Sequence, residues 1–155
     1  MKLLKCLSAV VASLVLVSGP SWAVPATNAD GDYLFPGRRG NRQVNWQVRD
    51  PDPNGLNCRM PRQFRGVIMD SLDVPETLYT NNLHEISQWS VVRRFQRGVR
   101  LEAVTGNLGN QILLLDKRGK PWIPVSIEDG NCFVRANSRF IVPIPEDPVT
   151  LEPLE

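Results

Sequence analysis

Along most of this chain, apolar and polar positions alternate in short bursts, each closed by Gly, Pro, Asn or Asp. Val44, Trp46 and Val48 alternate with Asn45 and Gln47, the period-2 signature of a strand with one buried face. The run Asp50-Pro51-Asp52-Pro53-Asn54-Gly55 is a dense turn signal, and residues 56–59 form a short extended segment that Pro61 ends. After a long irregular stretch the strand pattern returns at residues 90–95. Arg97-Gly98 then turns the chain, and Val99, Leu101 and Ala103 alternate with Arg100 and Glu102. Residues 112–115 are a compact apolar run, residues 116–120 a turn, and residues 122–127 return with Ile123, Val125 and Ile127 on one face. Asp129-Gly130 suits a hairpin with positive backbone angles, leading into a strand at 132–136. Residues 137–139 form a corner before a last strand at 140–144. Short strands in a meander with close turns predict an all-β domain, a small antiparallel barrel or sandwich.

Three regions lack this periodicity. Residues 24–43 are rich in Asn, Asp, Gly and Pro and read as a flexible N-terminal arm, with Arg38, Arg39 and Arg42 late in it. Residues 62–88 mix polarities around Pro75 and read as a long loop insertion with at most a helical turn near residues 82–87. Residues 145–155 hold three prolines and four acids and read as a disordered acidic tail. The domain itself is expected to span residues 44–144.

The N-terminus changes the picture of where the protein works. Met1, Lys2 and Lys5 precede an apolar run at residues 7–17, Gly19-Pro20 breaks it, and Ser21-Trp22-Ala23 places small residues where a signal peptidase reads. Residues 1–23 are therefore expected to be a signal peptide cleaved after Ala23, with Ala26 as a second possible site. A retained single-span anchor is the other reading, but the run is shorter than the ~20 apolar residues a bilayer needs. The protein is expected in the periplasm, the thylakoid lumen or the medium, with no stable membrane span after cleavage. Cys6 leaves with the leader, so Cys58 and Cys132 remain, an even count that in an oxidising compartment reads as a disulfide.

Removing the leader also removes Lys2 and Lys5, leaving 16 basic against 16 acidic residues in 132. That balance argues against nucleic acid as the main partner. Nearly all the remaining basic residues are arginine, Lys117 and Lys120 being the exceptions, and arginine forks onto carboxylates and stacks on aromatic rings.

The chemistry of an enzyme is hard to assemble from these residues. His84 is the only histidine, so Cys58 with His84 is the one conceivable nucleophile–base dyad, set against a disulfided Cys58 and a solvated His84. Asp70, Asp73, His84 and Glu85 are the nearest approach to a metal cluster, without EF-hand or zinc spacing. Gly106-Asn107-Leu108-Gly109-Asn110 reads as a hairpin-like loop, not a phosphate cradle. Neither a cofactor nor a metal is expected. The candidate ligand-binding residues are Trp46, Trp89, Trp122 and Tyr79 as an aromatic face, with Trp46 and Trp122 as core residues in the other reading. Arg59, Arg135 and Arg139 are candidate carboxylate holders, or else pair with Asp50, Asp52 or Glu128.

The segments Gly55-Leu56-Asn57-Cys58-Arg59, Val91-Val92-Arg93-Arg94-Phe95-Gln96-Arg97-Gly98-Val99-Arg100-Leu101, Pro121-Trp122-Ile123-Pro124-Val125 and Cys132-Phe133-Val134 occur in the order found in bacterial SH3-like domains. The chain resembles that family over residues 44–144, and more narrowly the exported SH3-like proteins of cyanobacteria. Cys58 stands where the family has Val, and Cys132-Phe133-Val134 where it has Gly-Trp-Val. The resemblance implies a small barrel whose first and late strands lie close, so that one disulfide accounts for both departures; residues 62–88 exceed the usual loop. It further implies a monomeric, non-catalytic module binding peptidoglycan or an extended peptide in the cell envelope. The alternatives are an accessory subunit whose two arms wrap a partner protein and, more distantly, a small hydrolase.

Overall fold

The strands expected from the alternating pattern form in sequence order: β1 (Asn45–Val48), β2 (Leu56–Met60), β3 (Ser90–Phe95), β4 (Arg100–Glu102), β5 (Leu114–Leu115), β6 (Pro121–Ile127), β7 (Gly130–Arg135) and β8 (Ile141–Pro143). The computed structural model describes residues 24–34, 43–62, 80–106, 111–128 and 130–145. The expected leader, most of the expected insertion (residues 63–79) and the tail from residue 146 lie outside the described residues. Among the described residues no helix is long and apolar enough to cross a membrane.

All the pairing between these strands is antiparallel, and it divides them into two sheets, one ordered β4-β1-β8 and one ordered β3-β2-β7-β6-β5. The protein is all-β, as expected, but the strands neither follow a simple meander nor close into a barrel. β1 sits between β4 and β8 instead of pairing with β2. Four connections, after β1, β3, β4 and β7, carry the chain from sheet to sheet. The first is the Asp50–Gly55 turn, whose prolines have no N–H for a ladder. The second is the Arg97-Gly98 turn, with Gly98 at φ +90°. An isolated bridge, Ala103↔Val125, links the sheets where a closed barrel would have a ladder.

One core serves both sheets. Trp46, Val48, Leu101 and Ile141 from the smaller sheet are buried together with Cys58, Ile123, Val125, Cys132 and Val134 from the larger. β1 shows the expected alternation, with Trp46 and Val48 inside and Asn45 and Gln47 outside. β6 departs from it: Pro121 to Val125 are all buried, because this strand lies inside the larger sheet with both faces covered. Directly opposed residues share a face, so the register puts Ile123, Val125, Cys132 and Val134 on the core side. It puts Trp122, Pro124, Phe133, Arg135 and Arg59 on the other. Trp89 covers part of that second side, edge-on to Phe133 with ring centroids 5.4 Å apart.

The segment expected to be a loose arm is, over residues 24–34, part of the fold. Asp32 bridges to Asn137, and Tyr33 is buried, its hydroxyl donating to the Ile141 carbonyl at 3.0 Å and its ring edge-on to Trp46 at 4.9 Å. One buried aromatic with a satisfied hydroxyl outweighs the polar composition around it. The end of the expected insertion is likewise docked. Asn82 N donates to Leu115 O, Lys117 N to His84 O, and a 3-10 turn at Ile86–Gln88 buries Ile86.

The Cys58–Cys132 disulfide joins β2 to β7, with the Cα atoms 5.5 Å apart and both residues wholly buried. Between these strands the ladder has a single registered pair, Arg59↔Phe133. The bond closes a loop across a sequence separation of 74. Replacing both cysteines with alanine is expected to lower unfolding free energy by about 4 kcal/mol, the chain-entropy value for a loop of this length. Urea titration followed by tryptophan fluorescence measures it, and a loss below about 1 kcal/mol would contradict the assigned role.

Candidate functional site

The strand register that sends Cys58 and Cys132 inward leaves Asn57, Arg59, Trp122 and Arg135 on the opposite side of the larger sheet. Two local structures wall them in. The first is the turn after β1. The Asp50 carboxylate accepts from Asp52 N at 2.9 Å, and the Asp52 carboxylate from Asn54 N at 2.8 Å. Gly55 closes the turn at φ +84°, where an added Cβ would sit 2.7 Å from the Phe95 carbonyl oxygen. The second is the corner before β8. Asn137 is buried; its Oδ1 accepts from Arg139 N at 2.9 Å, while its carbonyl accepts from Phe140 N and Ile141 N. That corner turns Arg139 outward. Between the two walls lies a groove of about 690 Å³, lined by Asp50, Asp52, Arg59, Trp122, Arg135 and Arg139 among others.

The three candidate arginines therefore meet in one groove, but in different states. Arg135 is anchored: Nη2 donates to Asp32 Oδ1 at 2.5 Å and Nη1 to the Pro121 carbonyl at 2.6 Å, with the guanidinium 5.9 Å from the Trp122 ring centroid. Burial lowers its pKa, and the neighbouring Asp32 carboxylate works against that shift. Arg59 donates from Nη1 to the Trp89 carbonyl at 2.8 Å; burial lowers its pKa too, with a smaller contribution from Arg94. Both stay charged, as guanidinium does in proteins. The Arg139 side chain is exposed and has no hydrogen bond or ion pair among the described residues. The alternative pairing of these arginines with Asp50, Asp52 or Glu128 is not formed. Asp50 and Asp52 are engaged in their turn, and Glu128 lies 3.8 Å from Arg93.

The aromatic candidates separate. Trp46 is fully buried, which makes it a core residue and removes it from any binding face. Trp122 is 5% exposed; its indole Nε1 donates to the buried Asp116 carboxylate at 2.9 Å, fixing the ring as a wall of the groove. Trp89 is half-buried against Phe133, and His84 packs on it at 5.2 Å between ring centroids. Neither lines the groove. Tyr79 lies outside the described residues. Two groove residues had no signal in the sequence, Ser87 and Phe140. The Ser87 Oγ is buried with no hydrogen-bond partner among the described residues.

Cys58 carries no thiolate, because its sulfur is in the disulfide, so the Cys58–His84 dyad is not available. Asp70 and Asp73 lie outside the described residues, and among the described ones no group of His, Cys, Asp or Glu is placed to hold a metal. No protein-family model matches the chain, and comparison with curated proteins and with solved structures returned no match.

Asp32 orders the groove from behind. Burial pushes its pKa up, but the Asn137 amide donating at 2.6 Å and the charges of Arg135 and Lys120 outweigh that and hold it below the ordinary carboxylate value. A folded-state pKa below the unfolded one means stabilisation that is complete above about pH 4 and lost as pH falls through the lower folded value. Asp32→Asn is expected to cost about 2 kcal/mol at neutral pH, within the range for hydrogen bonds to charged groups. The gap from wild type should narrow at an acid pH below the ordinary carboxylate value, as the wild-type carboxyl takes up its proton in the folded state. Urea midpoints at both pH values check this; a gap that persists in acid would contradict it.

Proposed function

We propose that the protein is an exported, non-catalytic binding module, distantly related to bacterial SH3-like domains, whose groove holds an extended peptide such as the stem peptide of peptidoglycan. The observation that carries this reading is the groove's mixture of charged groups. The exposed Arg139 side chain has no partner among the described residues, and it lines the groove together with Arg59 and Arg135. Asp50 and Asp52 stand on the same groove, so its lining has both signs of charge. A ligand with carboxylates and amines along one extended chain complements such a lining better than a pure polyanion does.

Support for export comes from the leader pattern at residues 1–23 and from the disulfide, which persists in oxidising compartments. Kinship with SH3-like domains is supported by the order of the four matching segments, two of which meet as neighbouring strands β2 and β7. The wrapping-subunit alternative has less behind it, since Asp32 and Tyr33 are buried against the rest of the fold and tie down that part of the N-terminal segment.

Cosedimentation with purified cell-wall sacculi tests the proposal. The protein is expected to pellet at both low and physiological salt, and Arg59→Gln combined with Arg139→Gln to weaken binding by about tenfold or more. Protein that stays in the supernatant at both salt concentrations would refute wall binding. Equal binding by a folded double variant would refute the groove.

A further inference from the structure

A second cleft, of about 710 Å³, shares Pro51, Arg139 and Phe140 with the first but has a different electrostatic character. Three arginines line it: Arg49, Arg97 and Arg139. They come from distant parts of the chain, and backbone hydrogen bonds gather them. Gly98 N donates to Val48 O at 2.8 Å, which sets the Arg97-Gly98 turn against the end of β1. Arg49 N donates to Phe140 O at 2.7 Å, which sets that end against the corner carrying Arg139.

None of the three guanidinium groups has a hydrogen bond or ion pair among the described residues, and all three side chains belong to exposed residues. The cleft's one carboxylate, Asp30, is already engaged by Lys120 Nζ at 3.3 Å. The floor is polar and closely built: Ser138 N donates to Gly31 O at 2.8 Å, and a Cβ added at Gly31 would lie 2.7 Å from the Ser138 hydroxyl. In a chain whose charges balance without the leader, three unengaged arginines around one cleft are a local surplus created by the fold.

We propose that this second cleft is a binding site for a tetrahedral oxyanion, the phosphate or sulfate group of a larger molecule. A carboxylate has two oxygens and is filled by one guanidinium fork. A phosphate or sulfate presents three or four acceptor oxygens and can engage three forks at once. The proposal does not rest on the peptide reading of the first groove; the two clefts share Pro51, Arg139 and Phe140, and Arg139 is the one charged residue that lines both.

NMR titration of the intact disulfide-bonded protein with inorganic phosphate, inorganic sulfate and, as the carboxylate control, acetate tests the assignment. Phosphate and sulfate are expected to give saturable shifts at the Nε–H signals of Arg49, Arg97 and Arg139 and at the Ser138 amide, with acetate at least about tenfold weaker. Glycerol 3-phosphate and a phosphodiester added in separate arms distinguish an end group from a polymer linkage. Arg49→Gln with Arg97→Gln, both at exposed positions, is expected to weaken phosphate binding by about tenfold or more while leaving sacculus binding unchanged. Arg49→Lys with Arg97→Lys, which keeps the charge and removes the fork, is expected to fall between.

Shifts that do not saturate, that centre on Arg59 and Ser87, or that survive in the folded glutamine variant would overturn the assignment. Loss of sacculus binding with phosphate binding intact would overturn the peptide reading alone.

Discussion

The larger sheet depends on what happens between β2 and β7. The β2–β3 pair and the β5-β6-β7 unit each have their own ladders, but where they meet only Arg59↔Phe133 is in register. The Cys58–Cys132 bond closes that junction covalently from the buried side. Because side chains alternate across a strand, turning these two cysteines inward obliges Arg59, Phe133 and Arg135 to face the other way. The disulfide and the groove are thus two consequences of one register. A one-residue slip would exchange them, placing guanidinium groups in the core.

Charge is organised by what each arginine meets in three dimensions. Arg135 is held by Asp32, which is itself buried under the Asn137 corner and neighboured by Lys120. This cluster ties the N-terminal segment to β7 and fixes one wall of the groove. Arg139, on the same corner but turned outward by the Asn137 side chain, is left unengaged among the described residues. Asn137 therefore separates a structural arginine from an available one four residues away. The two clefts, which share Pro51, Arg139 and Phe140, differ for a related reason. One retains Asp50 and Asp52 in its wall, whereas the other has its sole carboxylate occupied by lysine.

Strand positions were legible in the sequence because burial on one face imposes a period of two, and β1, β2 and β4 show it in their burial as well. Which strands pair was not legible: β1 is bounded in sequence by the turn to β2, yet its partners are β4 and β8. The meander and closed barrel were inferences from neighbouring turns, and turns record a change of direction without recording which sheet the chain enters. Residues 24–34 read as loose in the sequence for a similar reason. Their composition is that of a loop, and the order in them comes from Tyr33 reaching Trp46 and Ile141.

By itself the sequence determined that the protein is all-β, where most of its strands lie, and which two cysteines, Cys58 and Cys132, were expected to pair. These are properties of local periodicity and of counting. Tertiary structure alone decided that Trp46 belongs to the core and Trp122 to a wall, that Asp32 holds Arg135, and that Arg49, Arg97 and Arg139 share a cleft. Each of those relations joins residues tens of positions apart, and contact at that separation is set by sheet register and packing, which no local pattern encodes.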